Sequence, residues 1–240
     1  MISVCIATYN GELFIEQQIA SILPQIGKDD EIVVSDDNST DSTIEIIKGF
    51  DDPRIRIFHF RRNRMKLSPH ILCASNFENA LKYARGKIVF LADQDDIWAP
   101  NKVKIFSSYF DYDLIVSDCC FIKNNIVDFD SSFCKGKSPQ YNLLLKSPGY
   151  HGCCIAVSRK LLELALPFPR NIPLHDGWLG LLSDAVGKVK FVDEKLTYQR
   201  IHGNNTSMNA KNNILYKINF RMHMYLYAFL RILDYKFHKK

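Results

Sequence analysis

The stretch Lys87-Ile88-Val89-Phe90-Leu91-Ala92-Asp93-Gln94-Asp95-Asp96-Ile97-Trp98 decides the fold, because an apolar run ends abruptly there in three carboxylates. A continuous apolar run bounded by Gly86 and by charge predicts a strand that is buried on both faces of a parallel sheet. Ligands of open α/β sheets bind beyond the carboxyl ends of the strands, and clustered carboxylates there repel one another unless a cation compensates. Hard oxygen ligands suit Mg²⁺ or Mn²⁺, which in turn suit a diphosphate. The alternative is a solvated turn followed by a helix start, since Asp caps helices and Pro100 fits a first turn.

Length and composition limit the class of protein. The 240 residues are 47% apolar, which is ample for one α/β domain, and we expect that domain at residues 1–207 with a C-terminal appendage at residues 208–240. The chain starts on a strand-like run without a basic leader, and no apolar run reaches the roughly 20 residues that span a bilayer. Seven cysteines, including two adjacent pairs, favour reduced thiols and hence the cytoplasm. The net charge of +5 does not require nucleic acid as a partner, and any membrane contact would be peripheral.

Alternating strand-like and helix-like segments predict a mostly parallel sheet flanked by helices. Predicted strands after the first helix lie at residues 31–35, 54–60, 114–117, 152–157, 188–192 and 196–201, and the first strand lies at residues 3–7. Predicted helices lie at residues 12–23, 76–84, 158–165 and 212–240, with others opening at a capping box in Ser42-Thr43-Ile44-Glu45 and at His175-Asp176. Residues 122–140 form a polar stretch that is either a hairpin or a mobile loop.

Four polar groups fall at the ends of predicted strands: Thr8-Tyr9-Asn10, Asp36-Asp37, the acids from Asp93 to Asp96, and Asp118. Each group alone is explained by a turn or a helix cap. Several acidic groups that converge on one edge of a sheet exceed what capping requires. We therefore expect a ligand site at this edge.

Five motifs give the chain a family resemblance: Val4-Cys5-Ile6-Ala7-Thr8-Tyr9-Asn10, Val33-Val34-Ser35-Asp36-Asp37-Asn38-Ser39-Thr40-Asp41, Asp93-Gln94-Asp95-Asp96, His175-Asp176-Gly177-Trp178 and Arg200-Ile201-His202-Gly203-Asn204. In this order they resemble the family 2 inverting glycosyltransferases of the GT-A fold, especially the bacterial rhamnosyltransferase-like branch. The resemblance implies transfer of a hexose or deoxyhexose from a nucleotide-diphosphate sugar to a hydroxyl group of a surface glycan. Lipopolysaccharide, O-antigen or capsule assembly is the implied setting, and the acceptor is a glycan or a lipid-linked glycan.

The resemblance also assigns roles to residues on the donor side. Thr8 and Tyr9 look like the residues that hold the base and ribose, and Asp37 like the carboxylate that accepts from the imide N–H of uracil or thymine, which implies a UDP- or dTDP-linked donor. Asp93 and Asp95 match the two acids of the family's D-x-D motif, with Asp95 the direct ligand of a divalent cation, Mn²⁺ or Mg²⁺, on the diphosphate.

Two late residues of the motifs would complete that end of the site. His202 resembles a late histidine that completes the metal shell or touches the diphosphate, and a histidine ligand favours Mn²⁺. Arg200 could neutralise phosphate charge nearby. The alternative for His202 is a structural role. The basic cluster Arg61-Arg62-Asn63-Arg64 is interpreted as a solvated loop rather than a further diphosphate contact.

Asp176 matches the family's catalytic acid residue, and we expect it to act as the general base that deprotonates the acceptor hydroxyl. The alternative is that Asp176 only caps its helix. Two rival functions remain open. A nucleotidyltransferase that makes nucleotide sugars should carry a glycine-rich loop after the first strand, which Thr8-Tyr9-Asn10-Gly11 lacks. A non-catalytic nucleotide-sugar-binding scaffold would bind the donor without turnover.

The last segment, residues 212–240, mixes aromatic side chains with lysines and arginines. A basic, aromatic-rich helix can lie on an anionic membrane surface. The alternative is packing on the catalytic domain or on a second subunit, because apolar residues occur all round the helix.

Overall fold

The predicted sheet is present, and within the described part of the chain it has nine strands. The structure, a computed structural model, describes residues 1–60, 67–123, 126–137, 149–202 and 214–238. The strands are β1 (Ile2–Thr8), β2 (Glu31–Asp36), β3 (Ile55–His59), β4 (Ile88–Asp93), β5 (Ile97–Trp98), β6 (Leu114–Lys123), β7 (Ile126–Asp128), β8 (Ile155–Ser158) and β9 (Val189–Arg200). The helices are α1 (Ile15–Ile22), α2 (Thr43–Gly49), α3 (Pro69–Tyr83), α4 (Lys102–Ser107), α5 (Arg159–Ala165), α6 (His175–Val186) and α7 (Ile214–His238).

The strand order places the carboxyl ends of β1, β2 and β4 side by side. The order is β3-β2-β1-β4-β8-β6-β9-β5, and β7 pairs with β6. The pairs among β3, β2, β1 and β4 are parallel, whereas β8 runs antiparallel to both β4 and β6. In this register Thr8 pairs with Asp36, and Ala7 pairs with Asp93. Three of the four polar strand ends therefore meet at one edge of the sheet.

Apolar side chains cover both faces of the sheet. One core joins it to α1, α2 and α4, and the other joins it to α3, α5, α6 and α7. Strand β4 belongs to both cores, because Val89 packs in one and Phe90 in the other, and both are fully buried. The prediction of a strand buried on both faces is therefore confirmed, as is the α/β class with helices on either side.

Two late strands predicted from the sequence form one continuous strand. The segments at residues 188–192 and 196–201 were predicted as two separate strands, and this prediction is wrong. A bulge opposite Asp118 in β6 accommodates Asp193 and Glu194, so β9 pairs with β6 on both sides of it. The polar stretch from residue 122 begins as a hairpin, since β7 pairs antiparallel with the end of β6.

The predicted capping box is absent. The Ser42 side chain makes no capping hydrogen bond, and Oδ1 of Asp41 accepts instead from the amide and the hydroxyl of Thr43 at 3.1 and 2.5 Å. The Ser42 amide donates to Glu12 Oε2 at 2.9 Å. The cap is thus shifted by one residue because contacts with the loop after β1 fix the start of α2.

The alternative explanation of the acidic motif, a helix start, is also wrong. The two-residue strand β5 follows the acids directly and pairs with β9. Helix α4 begins only at Lys102, and its N-cap residue is Asn101. The carboxylates therefore do not serve as a helix cap, and another role must account for them.

The C-terminal helix α7 packs through one face on the helices that cover the sheet. Met224 and Ala228 are 1% and 3% exposed and lie in the core shared with α6. Arg231 donates to the carbonyl oxygens of Leu164 and Leu166 at 2.8 and 3.1 Å. Within the described ranges, no helix combines the length and the apolar character needed to cross a bilayer. The predicted domain boundary between residues 207 and 208 lies outside the described residues.

The Gly86→Ala substitution should destabilise the fold, because the backbone of β1 passes directly over this glycine. A Cβ at residue 86 would lie 2.4 Å from the Ser3 nitrogen and 2.6 Å from the Ile2 carbonyl carbon. Neither backbone atom can move away without breaking the β1–β4 ladder. We expect a loss of about 1–3 kcal/mol in the free energy of unfolding, measured by urea denaturation.

The Gly49→Ala substitution is the matched control. This glycine ends α2, and an added Cβ would meet nothing within 4 Å. Alanine has the higher helix propensity, so the control should leave stability unchanged or raise it by up to about 1 kcal/mol. Equal stability of the two variants would contradict the prediction, because it would show that the β1 backbone can move away from a Cβ at residue 86 at little cost.

Candidate active site

A cavity of about 770 Å³ opens at the carboxyl edge of β1, β2 and β4. Its walls come from the end of β1, the residue after β2, the first half of α3, the acidic motif after β4, residues 151–152, the start of α6 and the end of β9. The predicted site residues that line it are Thr8, Tyr9, Asp37, Asp93, Asp95, Asp176 and His202. Residues far apart in sequence thus meet in one cavity.

Gln94, the middle residue of the acidic motif, ties this motif to the end of β1. Its Oε1 accepts from the Thr8 hydroxyl at 2.6 Å and from the Tyr9 amide at 2.9 Å, and its Nε2 donates to the Tyr9 carbonyl at 3.2 Å. Gly11 makes room for the amide, since a Cβ there would lie 2.4 Å from Gln94 Oε1. The Thr8 hydroxyl is therefore engaged within the protein, while Tyr9 is 47% exposed at the mouth of the cavity.

Asp37 forms a buried part of the cavity wall. It is 4% exposed, and its amide donates to the Thr8 carbonyl at 2.9 Å. Asn76 on α3 donates to the same carbonyl at 3.1 Å. The neighbouring Asp36 instead accepts from the Ser39 hydroxyl at 2.5 Å and holds the turn. Of the predicted acidic pair, Asp37 is therefore the residue that reaches the cavity.

The acid that ends β4, Asp93, and the two that follow it, Asp95 and Asp96, differ in their surroundings. Burial and the negative charge of Asp95 raise the pKa of Asp93 to about 7, and Asp176 acts in the same direction across the cavity. Asp96 is fully buried, so burial and its two acidic neighbours raise its pKa well above the ordinary range, and its Oδ1 accepts from the Arg200 amide at 3.1 Å. Acids that repel one another in a cavity favour the entry of a cation.

His202 and Arg200 hold the acidic motif from the end of β9. Nε2 of His202 lies 2.8 Å from Asp95 Oδ2, and its ring stacks on Phe14 with 4.9 Å between centroids. Arg200 donates through Nε to the Asp95 carbonyl at 3.1 Å and through Nη2 to Gln17 Oε1 at 2.7 Å. Arg200 is not among the residues that line the cavity, so the role of its charge at a diphosphate stays a prediction.

Asp176 is the second residue of α6, and its side chain is half-buried in the cavity wall. Its Oδ1 accepts from the Gly177 amide at 2.6 Å. The N-cap position belongs to Leu174, which makes no side-chain cap. Oδ1 thus binds one free amide of the helix start, and the carboxylate still borders the cavity.

His175 also lines the cavity, although the sequence analysis named it only as part of a motif and assigned it no role. It is 9% exposed, and its ring stacks on Phe77 with 4.2 Å between centroids. Among the described residues, its Nε2 has no hydrogen-bond partner. Gly152 lies directly against this buried nitrogen, since a Cβ there would lie 2.8 Å from it. Burial lowers the pKa of His175, so a neutral imidazole faces the cavity at pH 7.

One group of described side chains is close enough to share a cation: Asp93, His151 and Cys153, whose possible ligand atoms all lie within 4.8 Å of one another. The predicted ligands Asp93, Asp95 and His202 all line the cavity, and His202 contacts Asp95 at 2.8 Å. Burial raises the pKa of the Cys153 thiol well above its usual value, so the thiolate that binds metals is disfavoured. Two repelling carboxylates and an imidazole are a donor set that fits Mn²⁺ or Mg²⁺.

His151 was missed by sequence reasoning. Its Nε2 lies 2.7 Å from Gln199 Nε2, and its ring packs on Phe133 with 4.4 Å between centroids. Nothing in the local pattern around Gly152 distinguishes it, because it reaches the cavity through the pairing of β8 with β4 and β6. The position of His151 follows only from the register of β8 against β4 and β6, which the local sequence does not show.

Asp118 does not belong to the cavity, so the expectation that four polar strand ends converge is wrong for this one. It lies within β6, where it is 3% exposed and accepts from the amides of Cys119 and Cys134 at 2.8 and 2.9 Å. The hydroxyl of Ser132 donates to its other oxygen. These hydrogen bonds hold the segment after β7 against the sheet. Asp118 lies inside a strand because β6 continues to Lys123, beyond the predicted strand end at residue 117.

Two sequence interpretations lie outside the described residues. One is the basic cluster at residues 61–64, and the other is part of the polar stretch at residues 122–140, namely residues 124–125 and 138–140.

Comparison with known proteins identifies relatives along most of the chain. Residues 3–165 match the sequence model of the family described as glycosyl transferase family 2. The chain is 31% identical over 193 residues to the Escherichia coli protein WfgD, named UDP-Glc:alpha-D-GlcNAc-diphosphoundecaprenol beta-1,3-glucosyltransferase. That match covers 77% of this chain and 70% of WfgD.

Two solved structures share the fold. Staphylococcus aureus TarS 1–349, crystallised with UDP-GlcNAc, superposes with a TM-score of 0.67 at 22% identity, over 88% of this chain and 61% of that one. Glucosyl-3-phosphoglycerate synthase from Mycobacterium tuberculosis, crystallised with Mn²⁺, UDP and phosphoglyceric acid, superposes with a TM-score of 0.61 at 20% identity, over 91% and 77% of the two chains. The predicted GT-A architecture is confirmed.

Proposed function

This chain belongs to glycosyl transferase family 2, and we propose that it transfers a hexose or deoxyhexose from a nucleoside-diphosphate sugar to a hydroxyl group of a lipid-linked surface-glycan precursor. The observation that carries the proposal is the single cavity in which Asp37, Asp93, Asp95 and Asp176 meet from separate elements. Asp37 is available to bind the nucleobase of the donor, and Asp93 and Asp95 are available to bind a cation. Asp176 is available to take the proton of the acceptor hydroxyl.

Asp37 and Tyr9 would hold the nucleoside of the donor. A buried carboxylate accepts hydrogen bonds only, so Asp37 would select a base edge that donates, such as the imide N–H of uracil or thymine. Tyr9 lies exposed at the mouth, where its ring can cover the base and ribose, and Thr8 keeps this loop in place through Gln94. A UDP- or dTDP-linked sugar is the donor class that these contacts favour, and the donor in WfgD's name is UDP-Glc.

Asp93, Asp95 and His202 would hold a divalent cation at the donor diphosphate, with Asp95 as the direct ligand. When bound, the cation would act as a Lewis acid on the departing nucleoside diphosphate. The mutual repulsion of Asp93 and Asp95 supports this assignment, as does the Mn²⁺ in the structure of glucosyl-3-phosphoglycerate synthase. The imidazole of His202 favours Mn²⁺ over Mg²⁺. The charge of Arg200, held against the Asp95 carbonyl, would lie near the same phosphates.

Asp176 would act as the general base. Its carboxylate takes the proton of the acceptor hydroxyl while that oxygen bonds to the anomeric carbon and the bond from this carbon to the diphosphate breaks. Attack from the face opposite the leaving group inverts the anomeric configuration. The neutral His175 beside it, whose buried Nε2 has no hydrogen-bond partner among the described residues, would hold a hydroxyl group of the donor or the acceptor.

A lipid-linked acceptor would place the protein at a membrane. The acceptor in WfgD's name is a sugar on diphosphoundecaprenol, and we propose an acceptor of the same kind, in lipopolysaccharide or O-antigen assembly. The protein would then work in the cytoplasm, peripherally on the inner face of the membrane.

A thermal-shift titration tests the donor site. The protein is titrated with UDP, dTDP, GDP and CMP, each with Mn²⁺, with Mg²⁺ and with EDTA. We expect UDP or dTDP to stabilise the protein only when a divalent cation is present, by about 2.7 kcal/mol at a nucleotide concentration ~100 times the dissociation constant. CMP serves as the control for the base edge, because N3 of cytosine only accepts hydrogen bonds and faces the carboxylate of Asp37 unfavourably. Guanine has a ring N–H that can donate, so GDP tests whether the cavity admits a purine.

If no nucleotide stabilises the protein with either cation, the proposed function is wrong. If UDP binds but no sugar is released from UDP-sugars in the presence of lipid-linked acceptors, the scaffold alternative is favoured instead.

A further inference from the structure

Helix α7 carries a row of exposed apolar side chains along the face that points away from the sheet. We call this row the outer stripe, and its members with their exposed fractions are Ile218 (47%), Met222 (55%), Leu226 (53%), Phe229 (59%), Leu230 (51%) and Phe237 (74%). Spacings of three, four, seven and eight residues place side chains on one face of a helix. The outer stripe is therefore continuous along most of the 25 residues of α7.

The opposite face of α7 is the one that the fold uses. Met224 and Ala228 are buried against α6, and Phe220, Tyr225, Ile232 and Tyr235 pack around them. A helix with a single core needs one apolar face, and the remaining face is usually polar. Packing within the described residues thus leaves the outer stripe unexplained.

Positive charge is concentrated in the same segment. Residues 208–240 contain seven lysines and arginines and one acid, whereas residues 1–207 contain 24 basic and 25 acidic residues. The C-terminal segment therefore carries a net charge of +6, and the rest of the chain is nearly neutral. Lys236, which is exposed, lies on α7 one residue before the last member of the outer stripe.

We propose that the outer stripe of α7 docks the protein on the surface of an anionic lipid bilayer. Apolar side chains would enter the boundary between headgroups and acyl chains. Arg221, which is 9% exposed, and Arg231 are held by the fold, so Lys236 and the net positive charge of the segment would supply the attraction to anionic headgroups. A helix of 25 residues is about 37 Å long and would lie in the membrane plane. A second copy of the chain is a weaker candidate, because two segments of charge +6 repel each other.

Docking through α7 would also orient the active site. α7 packs on α6, and the guanidinium of Arg231 lies 5.8 Å from the ring centre of Trp178, two residues after Asp176. The helix that bears the proposed base is thus attached directly to the docking helix. This consequence rests on the proposed function, whereas binding to the bilayer does not.

Vesicle flotation of the full chain tests the proposal. Vesicles of phosphatidylcholine with about one third phosphatidylglycerol should carry the protein upward, and vesicles of phosphatidylcholine alone should carry much less. The double variant Leu226→Ser/Phe229→Ser should lower the floating fraction on the anionic vesicles about tenfold. Its melting temperature should not change, because both side chains lie outside the core.

The double variant Ile126→Ser/Phe129→Ser is the matched control. These residues, at and just after β7, are 72% and 62% exposed, so the control removes a similar exposed apolar surface away from α7. It should float like the unchanged protein. Equal flotation of the α7 variant and the control, or no flotation of the unchanged protein, would overturn the proposal. Light scattering that shows a dimer dissociated by the α7 variant would assign the outer stripe to a second copy.

Transfer assays separate this inference from the proposed function. With an acceptor embedded in vesicles, the α7 variant should be slower than the control, while both should act equally on a water-soluble acceptor. Absence of turnover on either acceptor would refute the proposed function and leave the flotation result to decide the docking surface.

Discussion

Replacing Asp176 with asparagine is expected to lower turnover about 10²–10⁴-fold, the usual contribution of a general base. Asparagine keeps the size of the side chain and can still accept from the Gly177 amide, which lies 2.6 Å from Asp176 Oδ1. It cannot take a proton from the acceptor hydroxyl. Stabilisation by UDP with Mn²⁺ should persist, since Asp37 and Asp95 remain. Single-turnover measurements of sugar transfer with bound donor would isolate the chemical step.

The Asp184→Asn substitution is the control for this prediction. Asp184 lies two turns further along α6, where it accepts from the Tyr150 hydroxyl at 2.5 Å and does not line the cavity. An amide oxygen can still accept from the tyrosine, so turnover should stay at the unchanged rate. Full single-turnover activity of the Asp176→Asn protein would remove the base assignment and favour a purely structural Asp176.

Replacing Asp95 with asparagine should abolish the cation-dependent stabilisation by UDP or dTDP. The loss would amount to about 2.7 kcal/mol at a nucleotide concentration ~100 times the dissociation constant of the unchanged protein. Without ligand, the same variant should be as stable as the parent or more stable. The physical reason is that the charge of Asp95 raises the pKa of Asp93, and removal of that charge relieves a repulsion in the folded state.

Opposite effects on the free and the liganded protein make this prediction specific. A residue that only supports the fold would lower both melting temperatures. The Arg200→Lys substitution offers a comparison, since it disturbs the contacts to the Asp95 carbonyl and to Gln17 without removing a carboxylate. It should lower the stability of the free protein. Retention of the full cation-dependent shift by the Asp95→Asn protein would refute the proposed ligand role.

Much of the site could be predicted from the sequence because its acids follow buried strands. The carboxyl ends of parallel neighbours lie at one edge, so Thr8, Asp37 and Asp93 could be brought together without knowledge of any side-chain contact. The motif at His175-Asp176 was placed correctly at a helix start. Asp118 was misplaced because β6 does not end there, and the end of a strand is less well marked by local sequence than its existence.

What the sequence alone determined is the doubly buried strand β4, the parallel order of the first half and the carboxylates at its edge, since each depends on a local pattern of apolar and charged residues. Tertiary structure decided the remainder. The antiparallel strand β8 brings His151 to the cavity. A bulge lets two predicted strands form the single strand β9, and Gln94 links the ends of β1 and β4. Packing on α6 decides which face of α7 is buried and which forms the outer stripe. These features depend on register and on contacts between segments distant in sequence, and no local pattern encodes them.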